Sequence, residues 1–192
     1  MNNAIDLLLN RHSTPAKRLT EPAPEGERLD LILRAAMSAP DHGALRPWRF
    51  LLVRGEARKR LGDIFAEGFV RRHPDAEPDK IDRQREKTLR SPLLILLIAH
   101  LQACAKVPEW EQMMAVGAAA EHMQLMAQAL GFGSVWLSGE SCEDDWVRQA
   151  LGLAENERLA GYLAMGTPTE PCPARARPSP SEFSREWTGG VS

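Results

Sequence analysis

Pro92-Leu93-Leu94-Ile95-Leu96-Leu97-Ile98-Ala99 holds the longest apolar run in the chain, from Leu93 to Ala99. A strand with one wet face alternates apolar and polar residues at period two. This run does not alternate, so it reads as a strand buried on both faces, inside a sheet covered on each side. It is far shorter than the ~20 residues that span a bilayer. The segments around it supply the cover. Downstream, residues 109–130 read as the longest helix, with Met113, Val116, Ala120, Met123, Ala127 and Leu130 at helical spacing. Its middle, Gly117-Ala118-Ala119-Ala120, is small all round and lets a neighbouring helix approach, in the core or across a dimer interface. Upstream, residues 79–89 form a polar, exposed helix. Residues 56–72 form a helix burying Leu61, Ile64, Phe65, Gly68 and Phe69.

Further out, residues 48–53 are a strand. Residues 25–38 are an amphipathic helix with Leu29, Ile32, Leu33, Ala36 and Met37 on one face, ended by Pro40. Residues 4–11 are a short helix with Ile5, Leu8 and Leu9 together, and residues 13–24 are turn-rich. Gly131-Phe132-Gly133 stops the long helix. A strand at 134–137, a helix at 144–151 and a strand at 159–165 follow, closing at Gly166. Five of the thirteen residues from 168 to 180 are proline, which makes that stretch an arm without regular structure. The irregular alternation predicts one α+β domain over residues 1–192, with a core over 1–166 and an arm over 167–192.

Composition narrows the function. The chain has 192 residues, 43% hydrophobic and 26% charged, enough to bury a core. Its net charge of -2 offers no global basic field for nucleic acid or an anionic membrane. The first residues lack a basic stretch followed by an apolar one, so no signal peptide is expected. Cys104, Cys142 and Cys172 are odd in number and far apart, which fits the reducing cytoplasm rather than a disulfide framework. His100 and Cys104 have no second pair of ligands at zinc spacing, and no metal is expected. Neither a G-x-S-x-G elbow nor a G-x-G-x-x-G turn after a strand is present.

Two motifs carry chemistry. Arg11-His12-Ser13-Thr14 closes the first helix. It reads either as a basic helix end or as a phosphate site, where guanidinium fork and hydroxyl hold a dianion. Arg175 and Arg177 in the arm are candidate second cations. Ala39-Pro40-Asp41-His42, followed by Arg46-Pro47-Trp48, is either an Asx turn with an exposed His or a loop bringing an imidazole to a ring. Trp136-Leu137-Ser138-Gly139 is a strand end whose glycine can expose backbone N–H groups to a ligand.

The ordered set of these motifs, with Gly131-Phe132-Gly133 and the tail Arg175-Ala176-Arg177-Pro178, resembles the FMN-binding nitroreductase superfamily, in particular its small, compact branch. The resemblance implies a mainly antiparallel sheet covered by helices and a homodimer with an exchanged C-terminal arm. It implies FMN at the dimer interface, with NADH or NADPH as donor and a small-molecule acceptor such as a nitroaromatic or quinone, in a ping-pong cycle. Arg11, His12 and Ser13 would hold the phosphate or ribityl region, with Arg177 and Arg175 completing the clamp. Ser38 and His42 would approach from the partner. Trp136, Leu137, Ser138 and Gly139 would line the ring, and no side chain is expected as obligate acid or base. Met126, Ala127, Gln128, Ala129, Leu130 and Gly131 would help receive the nicotinamide nucleotide. Pro15 stands where many members carry a base, with bases following only at Lys17 and Arg18; Arg46, where the family commonly has a Gln, would be a candidate cation near flavin N1. Two other readings remain: a flavin-binding protein for storage, sensing or partner interaction, and a cofactor-free helical interaction protein.

Overall fold

The computed structural model describes residues 3–104, 106–172 and 176–190. Strand β3 (Leu93–His100) lies at its centre, with Leu93 through Ala99 at most 1% exposed. It pairs antiparallel with β2 (Trp48–Arg54) on one side and β5 (Glu157–Pro168) on the other. Strand β4 (Gly133–Leu137) pairs antiparallel with β5, and the two-residue β1 (Leu19–Thr20) pairs with the end of β5. Every pairing is antiparallel, as the resemblance implies.

The alternation of β3 divides the core in two. Leu93, Ile95, Leu97 and Ala99 face one layer, with α2 (Gly26–Ala36) and α5 (Glu109–Ala129) packed on them. Leu94, Leu96 and Ile98 face the other, covered by α3 (Ala57–Arg72) and α6 (Asp145–Ala150) through Leu61, Ile64, Phe65 and Val147. Helix α4 (Pro78–Glu86) packs on α3 and buries none of its own residues. Helix α1 (Asn3–Leu9) rests on α5.

Some particulars differ from the sequence pattern. Helix α2 ends at Ala36, so Met37, expected on its buried face, is exposed. Ile5, Leu8 and Leu9 of α1 face outward, as do Trp110 and Met114 of α5. Strand β1 was not legible: two residues hold no period, and Pro15, Pro22 and Pro24 surround them. Strand β5 extends beyond the expected 159–165 because Glu157 and Arg158 pair with His100 and Ala99.

Gly161 marks an irregularity on which the site depends. The β3–β5 register shifts between Leu97 and Ile98, opposite it. Its φ of 131° is one that L side chains rarely adopt. A Cβ there would lie 2.7 Å from the Leu137 carbonyl oxygen and against the Trp136 indole. Strand β2 ends the sheet: it pairs with β3 alone, exposes Leu51 and Leu52, and carries Arg49 and Arg54 near its two ends.

Candidate functional site

The segment after α1 is stitched to β4, where the Thr14 N–H donates to the Ser134 carbonyl at 2.9 Å. Gly133 makes this approach possible, since a Cβ would come within 2.8 Å of the Thr14 hydroxyl and 2.7 Å of Leu19. Ser13, Pro15, Ala16 and Lys17 thereby form one wall of a cavity of about 690 Å³. Val135 and Leu137 of β4 and Tyr162 of β5 form another, and Ser138 and Gly139 continue it past the strand end. Phe69 and Arg72 come from α3, Gln84 from α4, and Lys87 and Arg90 from the turn between α4 and β3. The volume is that of a small-molecule site.

The lining is cationic. Lys17, Arg72, Lys87 and Arg90 face a single carboxylate, Glu140. Burial and the neighbouring Arg90 hold the Lys87 ammonium below the ordinary lysine range, against a partial offset from Glu140. An anionic ligand would reverse that cost. Glu140 is held below the usual carboxylate range, first by its hydrogen bond to His73 and then by the charges of His73 and Arg72. Burial pushes Tyr162 up to about 12, so its phenol stays neutral. Burial also raises the Cys142 thiol, which disfavours the reactive thiolate. Apolar walls from Phe69, Val135 and Leu137 beside a cationic rim suit a planar, conjugated anion with polar edges.

Of the residues singled out in the sequence, Ser13, Leu137, Ser138 and Gly139 line this cavity. Arg11 stands beside them: its Nη1 donates to the Ser13 Oγ at 3.4 Å, and its Nε lies 3.5 Å from Glu121. The His12 N–H donates to the Gln128 Oε1 at 3.2 Å, and Arg177 donates to the Arg11 carbonyl. Arg11, His12, Ser13 and Arg177 thus gather at one place. Arg175 lies outside the described residues. Trp136 turns its indole over Gly161, donating to the Ala160 carbonyl at 3.3 Å.

Ser38 and His42 do not line the cavity within one chain. The Ser38 Oγ donates to the Ala35 carbonyl and lies 3.2 Å from the His122 Nδ1. The His42 Nδ1 lies 2.7 Å from Glu111. Met126, Ala127, Gln128, Ala129, Leu130 and Gly131 form the last turn of α5 and the residues beyond it, away from the cavity. Ala127 is fully buried, Met126 and Leu130 pack on the core, and Gln128 braces His12 and Asn10. Arg46 is exposed, with its N–H donating to Asp41, and does not line the cavity.

Gln84, Lys87, Arg90 and Arg72 were missed. They sit in stretches that read as solvated faces; the only available signal was that Lys87 and Arg90 immediately precede the buried strand. Among the described residues, no group of three His, Cys, Asp or Glu is placed to hold a metal ion, and no helix is long and apolar enough to cross a membrane.

Known proteins resemble this chain in sequence and fold. "Putative NAD(P)H nitroreductase YdjA" of Escherichia coli K12 is 43% identical over 166 residues, covering 86% of this chain and 88% of that protein. A Haemophilus influenzae protein, also named "Putative NAD(P)H nitroreductase", is 37% identical over 169 residues, covering 88% and 90%. A nitroreductase-like family protein from Bacillus cereus superposes with a TM-score of 0.83 at 25% identity, over 98% of both chains. A "putative nitroreductase in complex with FMN" from Desulfovibrio desulfuricans gives 0.74 at 26% identity, over 97% and 98%. The nitroreductase family model matches residues 8–167, a span from α1 through β5 that contains every cavity-lining residue named above, and the chain belongs to that family.

Proposed function

We propose that the protein is an FMN oxidoreductase that takes electrons from NADH or NADPH and passes them to a small oxidised acceptor, a nitroaromatic or quinone, in a ping-pong cycle. The observation that carries this is the cavity itself, apolar along Phe69, Val135 and Leu137 and cationic at Lys17, Lys87 and Arg90. The Desulfovibrio protein, of the same fold, is described in complex with FMN. FMN, when bound, supplies the centre that accepts and gives up hydride; the protein supplies binding, orientation and charge.

Arg11, His12 and Ser13 would bind the phosphate end, where Arg177 reaches in from the arm, and Arg175, outside the described residues, would complete the clamp. Gln128 braces His12 from behind, and residues 126–131 would help receive the nicotinamide nucleotide. Ser138 and Gly139 lie at the cavity edge, where their backbone N–H groups would face the flavin, Leu137 would line the ring, and Trp136 fixes the strand end. Lys87, which lines the cavity, joins Arg46 as a candidate for offsetting negative charge gained on reduction. Ser38 and His42 lie on the outer surface of α2 and the loop after it, where a second chain completes the site in a homodimer. Three free thiols fit a cytoplasmic protein.

The test is an absorption spectrum from about 300 to 550 nm after incubation with FMN and desalting, followed by anaerobic addition of NADH or NADPH. Retained flavin bands that bleach with the donor are expected. Colourless protein overturns the cofactor assignment, and a yellow protein that neither nucleotide bleaches is a flavin carrier instead.

A further inference from the structure

The backbone at Ser138 and Gly139 has little to hold it in place. Both residues are exposed, and no atom lies within 4 Å of where a Gly139 Cβ would stand. The turn that follows, Glu140–Cys142, makes only its own local bonds: Cys142 N–H to the Gly139 carbonyl at 2.8 Å and Glu143 N–H to the Glu140 carbonyl at 3.2 Å. Cys142 packs on the core layer shared by α3 and α6, and the charged side chains that tie the segment down come from the end of α3. Arg72 meets the Asp144 carboxylate through Nη1 and lies 3.6 Å from the Glu140 carboxylate through Nε. His73 holds the same Glu140 oxygen at 2.9 Å. Asp144 is itself fixed, with 5% of its side chain exposed and its Oδ1 accepting from the Val147 N–H at 3.0 Å. Gly68 brings the two helices together, since a Cβ there would come within 2.8 Å of both Asp144 and Val147.

We propose that Arg72 is a positioning residue for flavin reduction: by joining the start of α6 to the turn after β4, its guanidinium holds the Ser138 and Gly139 backbone against the cavity that takes FMN, which rests on the function proposed above. A planar guanidinium can present its charge to two carboxylates at once, which a single ammonium does poorly. The buried arm to Asp144 belongs to the fold, because stranding either charge is costly. The exposed arm to Glu140 is dispensable for folding and borders the cavity directly. The two arms therefore separate stability from positioning. A small displacement of a group that orients a reacting ring slows the chemical step even when binding survives.

The experiment compares wild type, Glu140→Gln, Arg72→Lys and Arg72→Ala, each saturated with FMN. It records the anaerobic rate of flavin reduction at saturating NADH, the midpoint potential of the bound flavin, the FMN dissociation constant and the melting temperature of the apoprotein. Arg72→Ala is expected to reduce about tenfold more slowly and with a shifted potential, and to melt lower. Glu140→Gln is expected to slow reduction about threefold and shift the potential without lowering the melting temperature. Arg72→Lys should recover the melting temperature but only part of the rate, since one ammonium cannot bridge both carboxylates. If Arg72→Ala fails to fold, Glu140→Gln and Arg72→Lys carry the test. Variants that melt differently but reduce at the wild-type rate and potential overturn the positioning role. Wild-type protein that takes up no FMN fails earlier and overturns the function itself.

Discussion

Lys87 stands where a polar helix turns into a fully buried strand, and that position sets its chemistry. Its ammonium is held below the ordinary lysine value by burial and by Arg90. A bound anion favours the charged form, so affinity depends on the proton being present. FMN affinity should therefore begin to fall as pH rises through the lowered value, short of the ordinary lysine range, and level off above the pKa in the complex. Titrating FMN across alkaline pH checks this, and Lys87→Met should weaken binding at neutral pH and remove the alkaline limb. Gly161 sets a different limit. With φ at 131° and the Leu137 carbonyl 2.7 Å from a would-be Cβ, Gly161→Ala is expected to cost about 2 kcal/mol or more, read as a lower denaturant midpoint. Neither residue announced its role in the sequence. Lys87 looked like one more charge on a solvated helix, and a glycine inside a strand names no partner until the facing strand is known.

Elements were more legible than residues, for a reason that is itself physical. Helices α2, α3 and α5 show periods set by a single buried face, and β3 shows none because both its faces are covered. These patterns are local and survive in a linear chain. Strand β1 is held by two residues at the end of β5, a contact made across the whole chain, so nothing nearby in sequence marks it. The motif Arg11-His12-Ser13 and the strand end Leu137-Ser138-Gly139 were brought to one ligand by the resemblance alone; periodicity could not do so, because Gly133 and the Thr14–Ser134 bond are what bring Ser13 and the strand end to one cavity. Helix α1 bears on assembly. Ile5, Leu8 and Leu9 are all more than half exposed, as are Trp110 and Met114 of α5. Leu8→Glu with Leu9→Glu should leave the far-ultraviolet dichroism unchanged while shifting the sedimenting species from dimer to monomer, since an exposed apolar stripe of this kind is stabilised by a partner rather than by the chain's own core.

At the scale of the molecule, the arm and the open sheet belong to one problem. Residues 176–190 are exposed throughout, with Phe183 and Trp187 more than three-quarters bare, yet Arg177 reaches back to the Arg11 carbonyl. A chain ended after Thr169 keeps every strand and every helix of the core. It is expected to retain its dichroism but to lose FMN on desalting at concentrations where the full chain keeps it, together with its dimeric mass; equal flavin retention by both would separate the arm from the site. The bare side of β2 bears on what happens before assembly. A row of unpaired backbone donors and acceptors flanked by Leu51 and Leu52 is a template for any extended chain that meets it, including another copy of itself. Arg49 and Arg54 charge its two ends and Pro47 precedes it, features that blunt such templating. Newly synthesised chains thus face a race between correct association and strand-to-strand aggregation. High expression at elevated temperature should fill inclusion bodies, and reversing the guard charges at Arg49 and Arg54 should change how much of the protein stays in the supernatant.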